Sequence, residues 1–217
     1  MNQIFPGIFK EGKKIYTVNK IPGTRVYGEK LVKKDKEYRE WDPRRSKLAA
    51  AVLKGMKNNP IKKDSRILYL GASTGTTVSH ISDILSSGII YAVEFAETVV
   101  HPLLELSAKR KNIVPLFADS RKPGDYSWVE ECEILYVDIA QPDETEIALR
   151  NAGEFSCKYI MLAIKSQSID VAKEPHQVYK EESNKLKNAG FSVLEIINIE
   201  PYEDKHAFIL AKKQGSL

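Results

Sequence analysis

From Gly7 to Tyr38 apolar and polar positions alternate in short pieces, GIFKEGKKIYTVNK and then RVYGEKLVKKDKEYREW, with turn signals at Pro22-Gly23 and Gly28. A period of two over stretches this short predicts small antiparallel strands with one wet face. The pattern then changes. In RRSKLAAAVLKGM, Leu48, Val52 and Met56 recur at helical spacing. Asp42 followed by Pro43 predicts the start of that helix, because proline tolerates the first turn.

From Ser65 onward apolar runs alternate with amphipathic ones. RILYLGA, GIIYAVEF, NIVPLFAD, CEILYVDIA and CKYIMLAIK read as buried strands, and TTVSHISDILS, TVVHPLLELSAKR and HQVYKEESNKLKNAG as helices, the last ending at Gly190. Near-continuous apolar strands separated by such helices predict a parallel sheet covered on both faces, an α/β fold. The closing strands, FSVLEIINIEP and HAFILAKK, are joined by too few residues for a crossover helix, so they pair antiparallel. A doubly wound sheet with an antiparallel closing hairpin is the arrangement of Rossmann-like methyltransferases.

Composition narrows the picture little. The chain has 217 residues, 42% hydrophobic and 29% charged, an ordinary globular mix. No apolar stretch is long enough to cross a bilayer, and MNQIFPGIFKEGKK lacks the pattern of a secretory signal. Cys132 and Cys157 stand alone, without metal-ligand spacing, and read as reduced, packed thiols of a cytoplasmic protein. Charge is more telling. Residues 1–66 carry 18 lysines and arginines against 7 acids, while residues 67–217 carry 15 against 22. A basic front on an acidic remainder suggests a polyanion or an acidic protein at one end.

In such a sheet, ligands sit beyond the carboxyl ends of the strands, where the first strand turns into the first helix. Gly71 and Gly75 flank that turn in LYLGASTGTT, with Ser73 and Thr74 placed to cap the helix. The dinucleotide fingerprint is absent, since serine stands at 73 and threonine at 76, and no lysine follows Gly75 to make a phosphate loop. A ligand without phosphate, such as S-adenosylmethionine, suits this turn. Glu94 ends the second strand at the interval of a ribose-binding acid. Asp119 ends the third, where a carboxylate can read an adenine amino group, and Asp138 ends the fourth.

Lys165 arrives at the same rim on the apolar strand KYIMLAIK, and a buried ammonium needs a partner. Asp138 on the neighbouring strand is the expected one. His206 opens the last strand, whose antiparallel course brings its start to that rim, and Lys47 can reach it from the preceding helix. Such a cluster suits transfer to a hydroxyl: Lys165 would activate it, as base or as cation, with Lys47 and His206 positioning the ribose. His80 reads as a helix-packing residue, and His101 and His176 as surface residues. No pair of histidines has metal-ligand spacing, so no metal is expected.

The strings GASTGTTVSHISDI, YAVEF, FADSRKP, VDIAQPDE, AIKSQSID, EPYEDKHAFIL and WDPRRSKLAAAVLKG resemble the fibrillarin family in its archaeal form, over nearly the whole chain. The resemblance implies an S-adenosylmethionine-dependent RNA 2′-O-methyltransferase with the catalytic set Lys47, Asp138, Lys165 and His206. It implies cofactor contacts from Gly71, Ala72, Ser73, Thr74, Gly75, Thr76 and Thr77, and from Glu94, Phe95, Ala118, Asp119, Asp138 and Gln141. It also implies a small β domain over residues 1–42 before a methyltransferase domain over 43–217.

The partners it implies are a box C/D guide RNA with its rRNA or tRNA target, a Nop-type scaffold protein, and a small kink-turn-binding ribosomal-type protein. No Gly/Arg-rich tail is present, and GEFSCKYIMLAIK stands where the family has a Gly-Gly turn, which leaves the start of the fifth strand open. Two other functions compete: a non-catalytic assembly subunit and, against the missing fingerprint, an NAD-dependent dehydrogenase.

Overall fold

The computed structural model describes residues 1–215. Strands β1 (Asn2–Phe5), β2 (Ile8–Glu11), β3 (Lys14–Val18), β4 (Leu31–Lys33) and β5 (Glu37–Trp41) form an antiparallel sheet in the order β1-β2-β3-β5-β4. The alternation read from the sequence is that of this half-wet sheet. Helix α1 (Lys47–Leu53) starts later than Asp42-Pro43 suggested: Ser46 is its N-cap, its Oγ accepting from the Ala49 N–H. Asp42 instead closes its own turn. Its carboxylate accepts from the Arg44 N–H at 2.9 Å and its carbonyl from the Arg45 N–H at 3.1 Å. That turn places Asp42 ahead of the helix, away from the free N–H groups of its first turn, and the cap falls to Ser46.

The second sheet takes β6 (Arg66–Leu70), β7 (Ile89–Glu94), β8 (Ile113–Phe117), β9 (Ile134–Val137), β10 (Tyr159–Lys165), β11 (Phe191–Asn198) and β12 (His206–Lys213). Its order is β11-β12-β10-β9-β6-β7-β8. The central strands β8, β7, β6, β9 and β10 run parallel, and β12 is antiparallel to both β10 and β11. The linking helices are α2 (Thr76–Ile84), α3 (Glu97–Lys109), α4 (Glu144–Glu154), the single turn α5 (Ser166–Ile169) and α6 (Pro175–Asn188). The unusual GEFSCKY segment closes with Ser156 in a left-handed conformation, and the fifth parallel strand starts at Tyr159.

The strands are apolar throughout because both faces are covered. Ile67, Tyr69, Ile134 and Tyr136 point into one cluster shared with α1, α2 and α3. Leu68, Leu70, Leu135 and Val137 point into another, shared with α4 and α6. Each such side chain contributes about 1.5–3 kcal/mol on burial. The first cluster also holds Ile8, Ile15 and Trp41, so the N-terminal sheet packs on the same core as α1 and α2.

A buried ionic clamp fixes that junction. Arg39 of β5 pairs with Glu29 at 2.6 Å and with Asp83 of α2 at 2.8 Å, and Arg110 completes the pairing of Asp83. Thr17 donates to Asp83, so Nδ1–H of His80 donates to Thr17, and Nε2 of His80 accepts from the Tyr27 hydroxyl at 2.8 Å. Burial and the two guanidinium charges hold His80 neutral, far below the usual histidine range. The packing role expected of His80 is the one it has, and His101 and His176 are exposed.

Candidate active site

Strand order reverses where β6 lies between β7 and β9, and the carboxyl ends of those strands open a crevice there. Gly71 forms its base. It has φ +82°, and a Cβ there would stand 2.2 Å from the Asp138 carbonyl oxygen, so no side chain fits. The backbone is pinned from both sides: the N–H groups of Gly71 and Ala72 donate to the Val93 carbonyl, and that of Asp138 donates to Leu70. Neither Ser73 nor Thr74 caps α2, contrary to expectation; the N-cap is Gly75, left-handed and without a side-chain bond. The turn instead aims its backbone at the crevice, the Ser73 N–H donating to Glu94 at 2.6 Å. Gly75 lines no part of it. A Cβ there would meet Leu106 at 2.4 Å, so its glycine serves the packing of α2 on α3.

Two hollows meet over Gly71, Ser73 and Asp138. One, of about 320 Å³, is bounded by Glu94, Phe95, Ala118, Asp119 and Gln141 together with Val93, Ile139 and Ala140. The Glu94 carboxylate also accepts from the N–H groups of Phe95 and Ala96, which fixes it at the rim. Asp119 accepts from the Arg121 N–H, while the Arg121 guanidinium donates to the Gln141 side-chain oxygen. An apolar floor between two fixed carboxylates suits a nucleoside, with hydroxyls toward Glu94 and an exocyclic amine toward Asp119.

The other hollow, of about 430 Å³, is lined by Ala72, Thr74, Thr76 and Thr77 on one side and by Lys47, Lys165 and His206 on the other. The structure thus gathers the four polar rim residues, but pairs them differently from the sequence reading. Asp138 is bound by Lys47 at 2.9 Å, not by Lys165. Register explains the change. The pairing of β10 with β9 stops at Leu162 opposite Val137, and β10 runs on to set Lys165 opposite His206 of β12. Lys165 is exposed there, so its ammonium needs no buried partner. Lys47, the first residue of α1, is the one that comes within reach of Asp138.

Charge follows this pairing. Burial opposes the Lys47 ammonium, but the Asp138 charge and hydrogen bond outweigh it and hold its pKa above the ordinary lysine value. His206 is only 7% exposed, and burial pulls it below the usual histidine range against the bond to the Asp204 carbonyl. A carbonyl only accepts, so Nδ1 of His206, 2.6 Å from it, carries the proton and Nε2 is left as an acceptor.

Sequence reasoning missed Arg45, Tyr69, Ile139, Ala140, Ala163 and Glu203 on the Lys165 side, and Ser120 and Arg121 on the other. Most adjoin an identified residue: Ile139 and Ala140 follow Asp138, Ser120 and Arg121 follow Asp119, and Glu203 precedes His206. Tyr69 and Ala163 line the hollow from within strands, where the sequence carried no such signal.

The fibrillarin family model matches residues 1–215. A fibrillarin-like rRNA/tRNA 2′-O-methyltransferase of Saccharolobus islandicus is 49% identical over 99% of this chain and 95% of its own length. The fold superposes on Aeropyrum pernix fibrillarin, solved with natively bound S-adenosyl-L-methionine, with TM-score 0.84 and 46% identity over 91% of this chain and 88% of that one. It superposes on fibrillarin from a fibrillarin/Nop5p complex with TM-score 0.90 and 39% identity, over 98% and 100% of the two chains. With a switch-point crevice, a lysine–aspartate pair at its base and this full-length similarity, the chain belongs to the fibrillarin family.

Proposed function

We propose that this protein transfers a methyl group from S-adenosylmethionine to the 2′-hydroxyl of a ribose in rRNA or tRNA. It does so in a ribonucleoprotein: a box C/D guide RNA selects the nucleotide, a Nop-type scaffold docks the enzyme, and a small kink-turn-binding protein anchors the RNA. The observation that carries the reading is the Lys47–Asp138 ion pair between the two hollows, with Lys165 and His206 opposite each other on the adjoining strands. The Saccharolobus relative bears the name of that activity, the Aeropyrum relative holds that cofactor, and another relative is bound to Nop5p.

When bound, S-adenosylmethionine supplies an electrophilic methyl group on a sulfonium. Gly71, Glu94, Asp119 and Gln141 are the residues that would hold its nucleoside part, and Asp138 stands at the passage to the second hollow. Lys165 has no carboxylate partner among the described residues, so its charge lowers the effective pKa of a ribose hydroxyl and stabilises the oxygen as it loses its proton. His206 accepts that proton at Nε2, since Nδ1–H is committed to Asp204. Lys47 fixes the Asp138 carboxylate, and alignment of donor and acceptor supplies much of the acceleration.

A methyl-transfer assay with labelled donor, guide RNA, scaffold and kink-turn protein tests this. Asp138→Ala and Lys165→Ala are expected to abolish transfer, Lys165→Ala with donor binding retained in calorimetry. Near-normal turnover in both would refute these roles, and a wild-type complex that assembles but transfers nothing would make the chain an assembly subunit.

A further inference from the structure

The charge of the 430 Å³ hollow is not fully used by the chemistry above. Its cations are Arg45, Lys47 and Lys165. Lys47 is neutralised by Asp138, and Lys165 faces the reacting hydroxyl. Arg45 makes no ion pair among the described residues, yet it is not loose. Its guanidinium lies 5.7 Å from the centre of the Tyr27 ring. That ring is held in turn: its hydroxyl meets His80 Nε2 at 2.8 Å and accepts from the Asp42 N–H at 3.2 Å. The Asp42 turn and the Ser46 cap fix the Arg45 backbone from either side.

Arg45 is also a shared wall. Beyond it lies a further hollow of about 300 Å³, bounded by Tyr27, Gly28, Lys30, Glu40 and Asp42. A single small acceptor would fill only the inner space. A polymer crossing the site would occupy both, with the linkage between its units passing the guanidinium. A planar guanidinium is suited to grip a phosphodiester through two parallel hydrogen bonds, and the cation–π contact with Tyr27 holds it over the site.

We propose that Arg45, braced on Tyr27, holds the phosphodiester next to the ribose being methylated, and that the outer hollow takes the neighbouring nucleotide. This rests on the proposed RNA methyltransferase function and deepens it: the N-terminal sheet forms one wall of the acceptor site. Of the carboxylates around the outer hollow, Glu29 is paired with Arg39 and Glu40 with Lys14, which leaves Asp42 the foremost acceptor for the amino group of a base, with Lys30 for a further phosphate.

The test uses the reconstituted complex and a short target RNA with one methylation site, read as single-turnover rate at saturating donor. Arg45→Ala is expected to slow transfer about tenfold and to flatten the fall of the rate with salt. Arg45→Lys should recover part of this, because it keeps the charge and loses the planar fork. Donor affinity, read by calorimetry, should not move. The deciding arm replaces each phosphodiester flanking the target ribose by a neutral methylphosphonate. One replacement should slow the wild type about as much as Arg45→Ala does and have little further effect on the variant. Wild-type rates and salt dependence in Arg45→Ala, or equal losses in both proteins from every methylphosphonate, would overturn the assignment while leaving the methyltransferase reading intact. Failure of the wild-type complex to methylate the unmodified RNA would overturn both.

Discussion

Glu144 offers a sharp test of the electrostatics beneath the site. It is the first residue of α4, its side chain is fully buried, and it makes no ion pair within 4 Å among the described residues. Burial, the nearby charge of Glu182 on α6 and that of Asp138 push its pKa from 4.5 to about 9, against Lys47 and the Lys165 backbone. The folded protein therefore keeps a proton that the unfolded chain releases above its ordinary pKa. The stability this lends is complete below 4.5 and is lost as the pH rises toward 9. One proton is worth about 1.4 kcal/mol per pH unit, so from about pH 5.5 to 8.5 the loss comes to roughly 4 kcal/mol.

Glu144→Gln keeps the shape of the neutral acid and removes the titration. Urea unfolding at a series of pH values should show the variant gaining on the wild type by that slope, equivalent to roughly 2–4 °C in melting temperature for each kcal/mol. Groups that titrate alike in both proteins cancel in the difference. Parallel stability curves over this range would refute the reasoning, because they would mean that Glu144 is already ionised in the folded protein. The functional consequence is a site whose electrostatics rest on Asp138 without a second carboxylate charge beneath it.

Two further outcomes follow from the site. Gly71→Ala places a methyl group against the Asp138 carbonyl in a left-handed backbone position, so calorimetry should show loss of donor binding and unfolding a stability loss exceeding about 1–2 kcal/mol; normal donor affinity would contradict the close approach of the two loops. His206 accepts a proton only when neutral, and its pKa lies below the usual 6.5, so transfer rates should hold as pH falls to that value and drop only below it. An acid limb unchanged in His206→Gln would remove His206 from that role.

The positions of Glu94, Asp138, Lys165 and His206 were legible because each sits at or beside a strand end, and topology alone brings those ends to one rim. Their partners were not. An unpaired lysine on an apolar strand invited a bond to Asp138, but the extra length of β10 carries Lys165 out to solvent and leaves the carboxylate to Lys47. Ser73 and Thr74 looked like caps because their composition fits, whereas the Gly71 turn directs its backbone to Glu94 and leaves the cap to Gly75.

The sequence by itself determined the order of strands and helices, the antiparallel close, the glycine turn and the family, since periodicity and local turn chemistry act over a few residues. Only the tertiary structure decided which charges meet. Whether Glu144 is a solvated acid at a helix start or a buried proton-bearing one depends on α6 covering it, and whether Arg45 is a surface arginine or a wall of the acceptor site depends on Tyr27, which comes from the loop between β3 and β4. Burial and Coulomb energies depend on distances across the fold, and those distances are set by packing rather than by neighbours in the chain.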